Sequence, residues 1–194
     1  MRSKGKQARS RHTIQTILTG AAQLLIELGY SRATTNKIAE RSGFSVGTLY
    51  QYFEGKEDIY LELMAHECGK IVVAVEQSTA HETLRDTLTN MYSRVFQSQD
   101  NNPKLVQALS HLLDGPFLEI RNNARDEALA AVARLLEAHR DEITVPDLQL
   151  AALTIVSANE GFIVNANTSA YTAADLLQQG LRLQLAYLTM PDYT

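Results

Sequence analysis

The side chains best equipped for chemistry crowd into one short stretch. Read as a helix, Ser45–Phe53 presents Thr48, Tyr50, Gln51 and Tyr52 on its outer side. These carry hydroxyl or amide groups, which hydrogen-bond to phosphate oxygens and base edges. Lys56 follows at the start of the next helix, where unpaired backbone N–H groups attract anions. Upstream, Arg9 and Arg11 sit in a flexible basic arm spanning residues 2–11. Groupings that would make or break covalent bonds are missing from the pattern. No Ser-His-Asp or Cys-His arrangement, phosphate loop or paired carboxylates stand out. The 5 histidines are scattered, with no i, i+4 pair, so no metal is expected. The 1 cysteine, Cys68 beside Gly69, excludes an internal disulfide and reads as a packing residue rather than a redox sensor. No cofactor is expected, and no enzyme.

Charge is split along the chain. The 194 residues carry a formal net charge of −4. Residues 1–56 hold nine Lys/Arg against three Asp/Glu, a local +6, whereas residues 57–194 hold nine against nineteen, a local −10. A basic head on an acidic body suits a protein whose head meets a polyanion and whose body does not. At 45% hydrophobic and 21% charged residues the composition is globular. No apolar run is long enough to span a membrane, and the N-terminal stretch is broken by Gln15, Thr16, Thr19 and Gly20, so no signal peptide is read there. The expectation is a soluble, cytoplasmic protein that does not bind membranes.

The elements that must position the polar face are helices. Ile14, Ile17, Leu18, Ala21, Leu24, Leu25 and Leu28 follow helical spacing up to Gly29. A second helix is expected over about Thr35–Ser42, a third over Ser45–Phe53, and a long fourth from about Lys56. Ser42-Gly43-Phe44-Ser45 forms a tight turn between the second and third, because Gly43 tolerates positive φ. Ser45 can cap the third helix and Thr34 or Thr35 the second. Ala39 is small where two helices cross, while Ile38, Val46, Leu49 and Phe53 share a core. Further helices are expected at about 81–98, 103–113, 116–139, 147–167 and 172–189, with Pro103, Pro116 and Pro146 in first turns. The fold class is all-α, with about nine helices: a three-helix, helix-turn-helix domain over residues 1–56, with the motif at 34–53, and a larger helical domain over 57–194. A helix-turn-helix places its second helix in the major groove of double-stranded DNA.

The stretch Thr34–Asp58 resembles the DNA-binding domain of the tetracycline-repressor (TetR) family of bacterial regulators. The Gly-Thr-Leu-Tyr-x-Tyr-Phe core at 47–53 is the specific part of that likeness, which covers about residues 10–60. The resemblance implies a homodimer that binds a palindromic operator and represses transcription until a small effector releases it. By position it implies that Asn36, Lys37, Ser45, Val46, Gly47 and Thr48 face base edges or nearby backbone. It implies that Thr35, Tyr50, Tyr52 and Lys56 hold phosphates. One departure is plain: residues 45–53 contain no Arg or Lys, so the bidentate guanine contact is unavailable there. Specificity then leans on Asn36, Thr48, the arm and DNA shape.

In the body, polar residues that interrupt apolar stripes are candidate effector contacts: Tyr92, His111 and Asn159, together with Phe117 and Phe162. Such residues equally satisfy core hydrogen bonds. The effector is expected to be small and mostly apolar. Ala173, Leu176, Leu177, Leu181, Leu185 and Leu188 on the last helix suit a dimer seam built from the last two helices. An activator or a ligand-independent co-regulator fits the same sequence, and a helical enzyme or carrier is the remote alternative.

Overall fold

The first helix, α1, is Arg2–Leu28, so the basic arm is not the flexible lead-in its charge suggested but the opening of a helix. Lys4, Lys6, Gln7, Ala8 and Arg9 are strong helix formers, and they outweigh the single Gly5 among them. The structure is a computed structural model that describes residues 2–99, 103–165 and 171–191. Gly29, at φ 75°, closes α1, and a single 3-10 turn, Tyr30–Arg32, leads on. Helix α2 is Thr35–Ser42. Its cap is Thr34, whose hydroxyl accepts from Lys37 N–H at 3.4 Å. Gly43 ends it in the left-handed region, φ 74° and ψ 21°. Helix α3 is Val46–Leu49, capped by Ser45 Oγ, which accepts from Thr48 N–H at 3.0 Å. It is shorter than the nine-residue expectation because tighter bonds take over, Gln51 N–H to Thr48 O at 3.2 Å and Tyr52 N–H to Leu49 O at 3.0 Å.

Helix α4, Lys56–Glu76, leaves the head and enters the body. The body adds α5 (Leu84–Gln99), α6 (Pro103–Ser110), α7 (Pro116–Glu137), α8 (Leu148–Asn165) and α9 (Ala173–Thr189). The described residues thus form nine α-helices and no strand. Pro103 and Pro116 open their helices, but Pro146 lies before α8, whose cap is Asp147, Oδ1 accepting from Gln149 and Leu150 N–H at 2.9 and 3.0 Å. The expected extension of α8 to 167 falls outside the described residues. Thr172 and Asp175 cap α9 reciprocally.

Two apolar cores result. The head core gathers Ile17, Leu18, Ile38, Ala39, Leu49, Phe53 and Ile59, and it continues into Leu105 and Leu109 of α6 and Phe117 of α7. The body core gathers Leu88, Met91, Val132, Leu136, Ala151, Ile155 and Leu188. Helix α4 serves both, with Ile59, Tyr60, Leu63 and Met64 in the first and Ala74 and Val75 in the second. Most of the α9 stripe turns inward: Leu188 is buried in the body core and Leu177, Leu181 and Leu185 pack against it. The exposed large apolar residues of the last two helices are instead Leu150 and Leu153 on α8 and Leu183 on α9.

Candidate nucleic-acid interface and effector cavity

The helix-turn-helix holds its polar face by packing the opposite one. Ile38, Ala39 and Leu49 are buried, which fixes α2 against α3 and leaves their opposite faces outward. Close packing of α2 on α1 depends on Gly20: a Cβ there would collide with Ser42 Oγ and stand 3.3 Å from Ser42 N. Across the surface, Arg41 grips Glu27 through two hydrogen bonds of 2.7 Å, and this donation lowers the Glu27 pKa from its ordinary value.

The candidate DNA contacts gather on one side of this unit. Ser45 Oγ and Thr48 Oγ1 are 2.9 Å apart, and Thr35 Oγ1 and Tyr50 Oη are 3.5 Å apart. Tyr50 is 52% exposed, an unusual setting for so large a ring. Asn36, Lys37 and Gly47 are exposed, while Val46, Thr48 and Tyr52 are half-buried. Val46 and Tyr52 rest against the head core. Two of the cations carry internal bonds: Lys37 Nζ donates to Arg32 O at 3.0 Å, and Lys56 Nζ donates to Tyr30 O at 3.0 Å while lying 4.1 Å from the centre of the Tyr30 ring. An ammonium has three donors, so each keeps capacity for an anion. Arg9 and Arg11 are exposed on the early turns of α1.

A second feature lies in the body. A cavity of about 140 Å³ opens among α4, α5, α6, α7 and α8. Ile71, Val72, Val75, Val95, Val132 and Val156 supply apolar wall, and Asn159 lines it too, with its Oδ1 accepting from Gln184 at 2.9 Å. The other candidate effector residues lie elsewhere. Tyr92 and Phe162 abut Gly180 of α9, where an added Cβ would come within 3.2 and 3.1 Å of their rings. His111 and Phe117 border a separate hollow beside Tyr30 and Pro116. Sequence patterning did not single out Arg121 or Arg125, both on the cavity wall, because charged residues on a long helix usually mark its wet face. Cys68 lines the same wall; burial raises its thiol pKa, the opposite of what a reactive sensor needs.

Two matches to known families cover most of the chain. Residues 17–63 match the model for bacterial regulatory proteins of the tetR family, and residues 83–188 match that for the tetracyclin repressor-like C-terminal domain. This chain belongs to the tetR family. Among its relatives, the fatty acid metabolism regulator protein of Bacillus subtilis is 30% identical over 124 residues, 62% of this chain and 62% of that protein. The chain thus spans less than two thirds of the length of that curated relative. Its fold is similar to the fatty acid degradation regulator FadR from Bacillus halodurans, with a TM-score of 0.77 and 23% identity over 89% of this chain and 94% of that one. It is also similar to FadR from Bacillus subtilis in complex with stearoyl-CoA, with a TM-score of 0.76 and 23% identity over 90% and 98% of the two chains.

A polar arrangement in the body has the residue types of a catalytic triad. Thr87, His139 and Glu142 form a chain with contacts of 2.7 and 2.9 Å. Thr87 Oγ1 accepts from His81 N–H; the Glu142 carboxylate can only accept, so His139 Nδ1–H donates to it, and on a neutral ring Nε2 then accepts from the Thr87 hydroxyl. Glu142 in turn accepts from Leu84 N–H at the start of α5. Thr87 is fully buried, and these bonds tie α5 to the segment that follows α7.

Proposed function

We propose that the protein is a dimeric, sequence-specific DNA-binding regulator that represses transcription from a palindromic operator and is released by a small, mostly apolar effector. The observation that carries this is the hydroxyl face of half-buried Thr35 and Thr48 and exposed Tyr50, held on a helix-turn-helix by a buried Ile38–Leu49 side. Asn36 and Thr48 reach base edges, with Lys37, Ser45, Val46 and Gly47 beside them; Tyr50, Tyr52 and Lys56 hold phosphates, and Arg9 and Arg11 add backbone contacts from α1. The exposed Leu150, Leu153 and Leu183 suit the pairing of α8 and α9 with a second copy. The apolar body cavity suits the effector, and a relative concerned with fatty acid metabolism points the same way.

Release follows from α4, which carries both cores. An effector that favours a shifted α4 moves the two α3 helices away from a spacing of about one DNA turn, roughly 34–36 Å. The test is fluorescence anisotropy with duplexes taken from upstream of the protein's own gene. A salt-sensitive complex of two chains on a palindrome supports the proposal, and no complex on any such duplex refutes it. Transcripts of neighbouring genes rise on deletion if the protein represses and fall if it activates.

A further inference from the structure

The cavity is graded in polarity. Along α4 its lining runs from Met64 through Glu67 and Cys68 to Ile71, Val72 and Val75; along α7 it runs from Arg121, Ala124 and Arg125 to Ala128 and Val132. The charged residues of both helices therefore lie on the half nearer the head core, which holds Tyr60, Met64 and Phe117, and the valines lie on the far half. Two carboxylates, Glu67 and Glu160, and two guanidiniums, Arg121 and Arg125, line the cavity, and neither carboxylate is paired with Arg121. Glu67 is paired with Lys70 at 2.6 Å, and Glu160 lies 3.7 Å from Arg125. Arg121 is the remaining cation among the described residues: its guanidinium donates to Ser110 O in a long bond of 3.4 Å and has no carboxylate within ion-pair reach. A half-buried guanidinium has five donors to satisfy, and a long bond to a neutral carbonyl satisfies one of them weakly.

We propose that Arg121 seats the anionic group of an amphiphilic effector whose aliphatic chain fills the valine-lined part of the cavity. This rests on the reading of that cavity as the effector site. The chemical class is a linear apolar chain ending in a carboxylate or a phosphate, with the charged end toward the head. Anion binding competes with the Ser110 carbonyl for Arg121, and Ser110 ends α6, the helix whose Leu105 and Leu109 lie in the head core. The charged group thus acts on the element that touches the head, while the chain supplies affinity.

The test is calorimetric titration of the full chain with decanoate, decyl phosphate and decanol, repeated on Arg121→Gln and Arg121→Lys. On the unsubstituted protein at least one anion should bind about tenfold more tightly than decanol. A preference for decanoate alone identifies a carboxylate head, and a preference shared with or confined to decyl phosphate identifies phosphate as accepted; either supports the seat. Arg121→Gln should lose the preference and Arg121→Lys should keep part of it. Equal binding of all three ligands overturns the seat and leaves the cavity standing. No binding of any overturns the cavity reading as well. An anion preference that survives Arg121→Gln assigns the charge to another residue and overturns the proposal. Should Arg121→Gln fail to fold, the ligand series on the unsubstituted protein and on Arg121→Lys decides it.

Discussion

Phe117, the second residue of the helix that walls one side of the body cavity, stands edge-on to Tyr30 of the head, with 5.7 Å between ring centroids. Tyr30 meets Tyr60 of α4 in the same way at 5.4 Å, and its ring lies under the Lys56 ammonium. Body, head and the start of α4 therefore share one aromatic joint. Replacing Phe117 by Ala should destabilise the fold by about 3–5 kcal/mol, as truncation of a buried aromatic does. Urea unfolding measures this. A loss below about 1 kcal/mol, within the range of surface changes, would mean that the joint is loose.

Gly20 should tolerate no side chain. Gly20→Ala drives a methyl group against Ser42, displacing α2 and the turn that aims α3. The expected outcome is a fold close to native by circular dichroism with operator affinity reduced at least about tenfold, since misplacing the recognition helix costs base and phosphate contacts together. Unchanged affinity would show that α2 can shift without moving α3.

His139 should matter for stability and not for turnover. In His139→Ala, Thr87 and Glu142 each lose their imidazole partner, one of them fully buried, at a cost of about 2–3 kcal/mol. Thermal melting measures it. A melting temperature equal to that of the unsubstituted protein would contradict the reading of this chain as a structural tie.

Much of the head was legible because its signals are local. Thr34 and Ser45 cap the helices they precede, and Gly43 takes the positive φ its position demanded. Periodicity located the body helices for the same reason. It did not reveal which residues face which partner. The α9 leucines that suggested a seam pack on the chain's own core, and Tyr92 and Phe162 close on Gly180 rather than on the cavity. Both choices are set by how distant helices cross, which no local spacing encodes. The arm misled in another way: its charge suggested a flexible lead-in, whereas it opens α1.

The central claim is that the hydroxyl face of α2 and α3 reads DNA. The most direct measurement is an anisotropy titration, over a series of salt concentrations, of the unsubstituted protein, Arg11→Ala and the double variant Thr48→Ala with Tyr50→Phe. The account predicts that Arg11→Ala lowers the slope of log affinity against log salt by about 1 for each copy of the arm engaged, as loss of a phosphate contact does. It predicts that the double variant, folded by circular dichroism, loses about tenfold or more on the operator while binding unrelated DNA about as before. A folded double variant that binds the operator as tightly as the unsubstituted protein would contradict it.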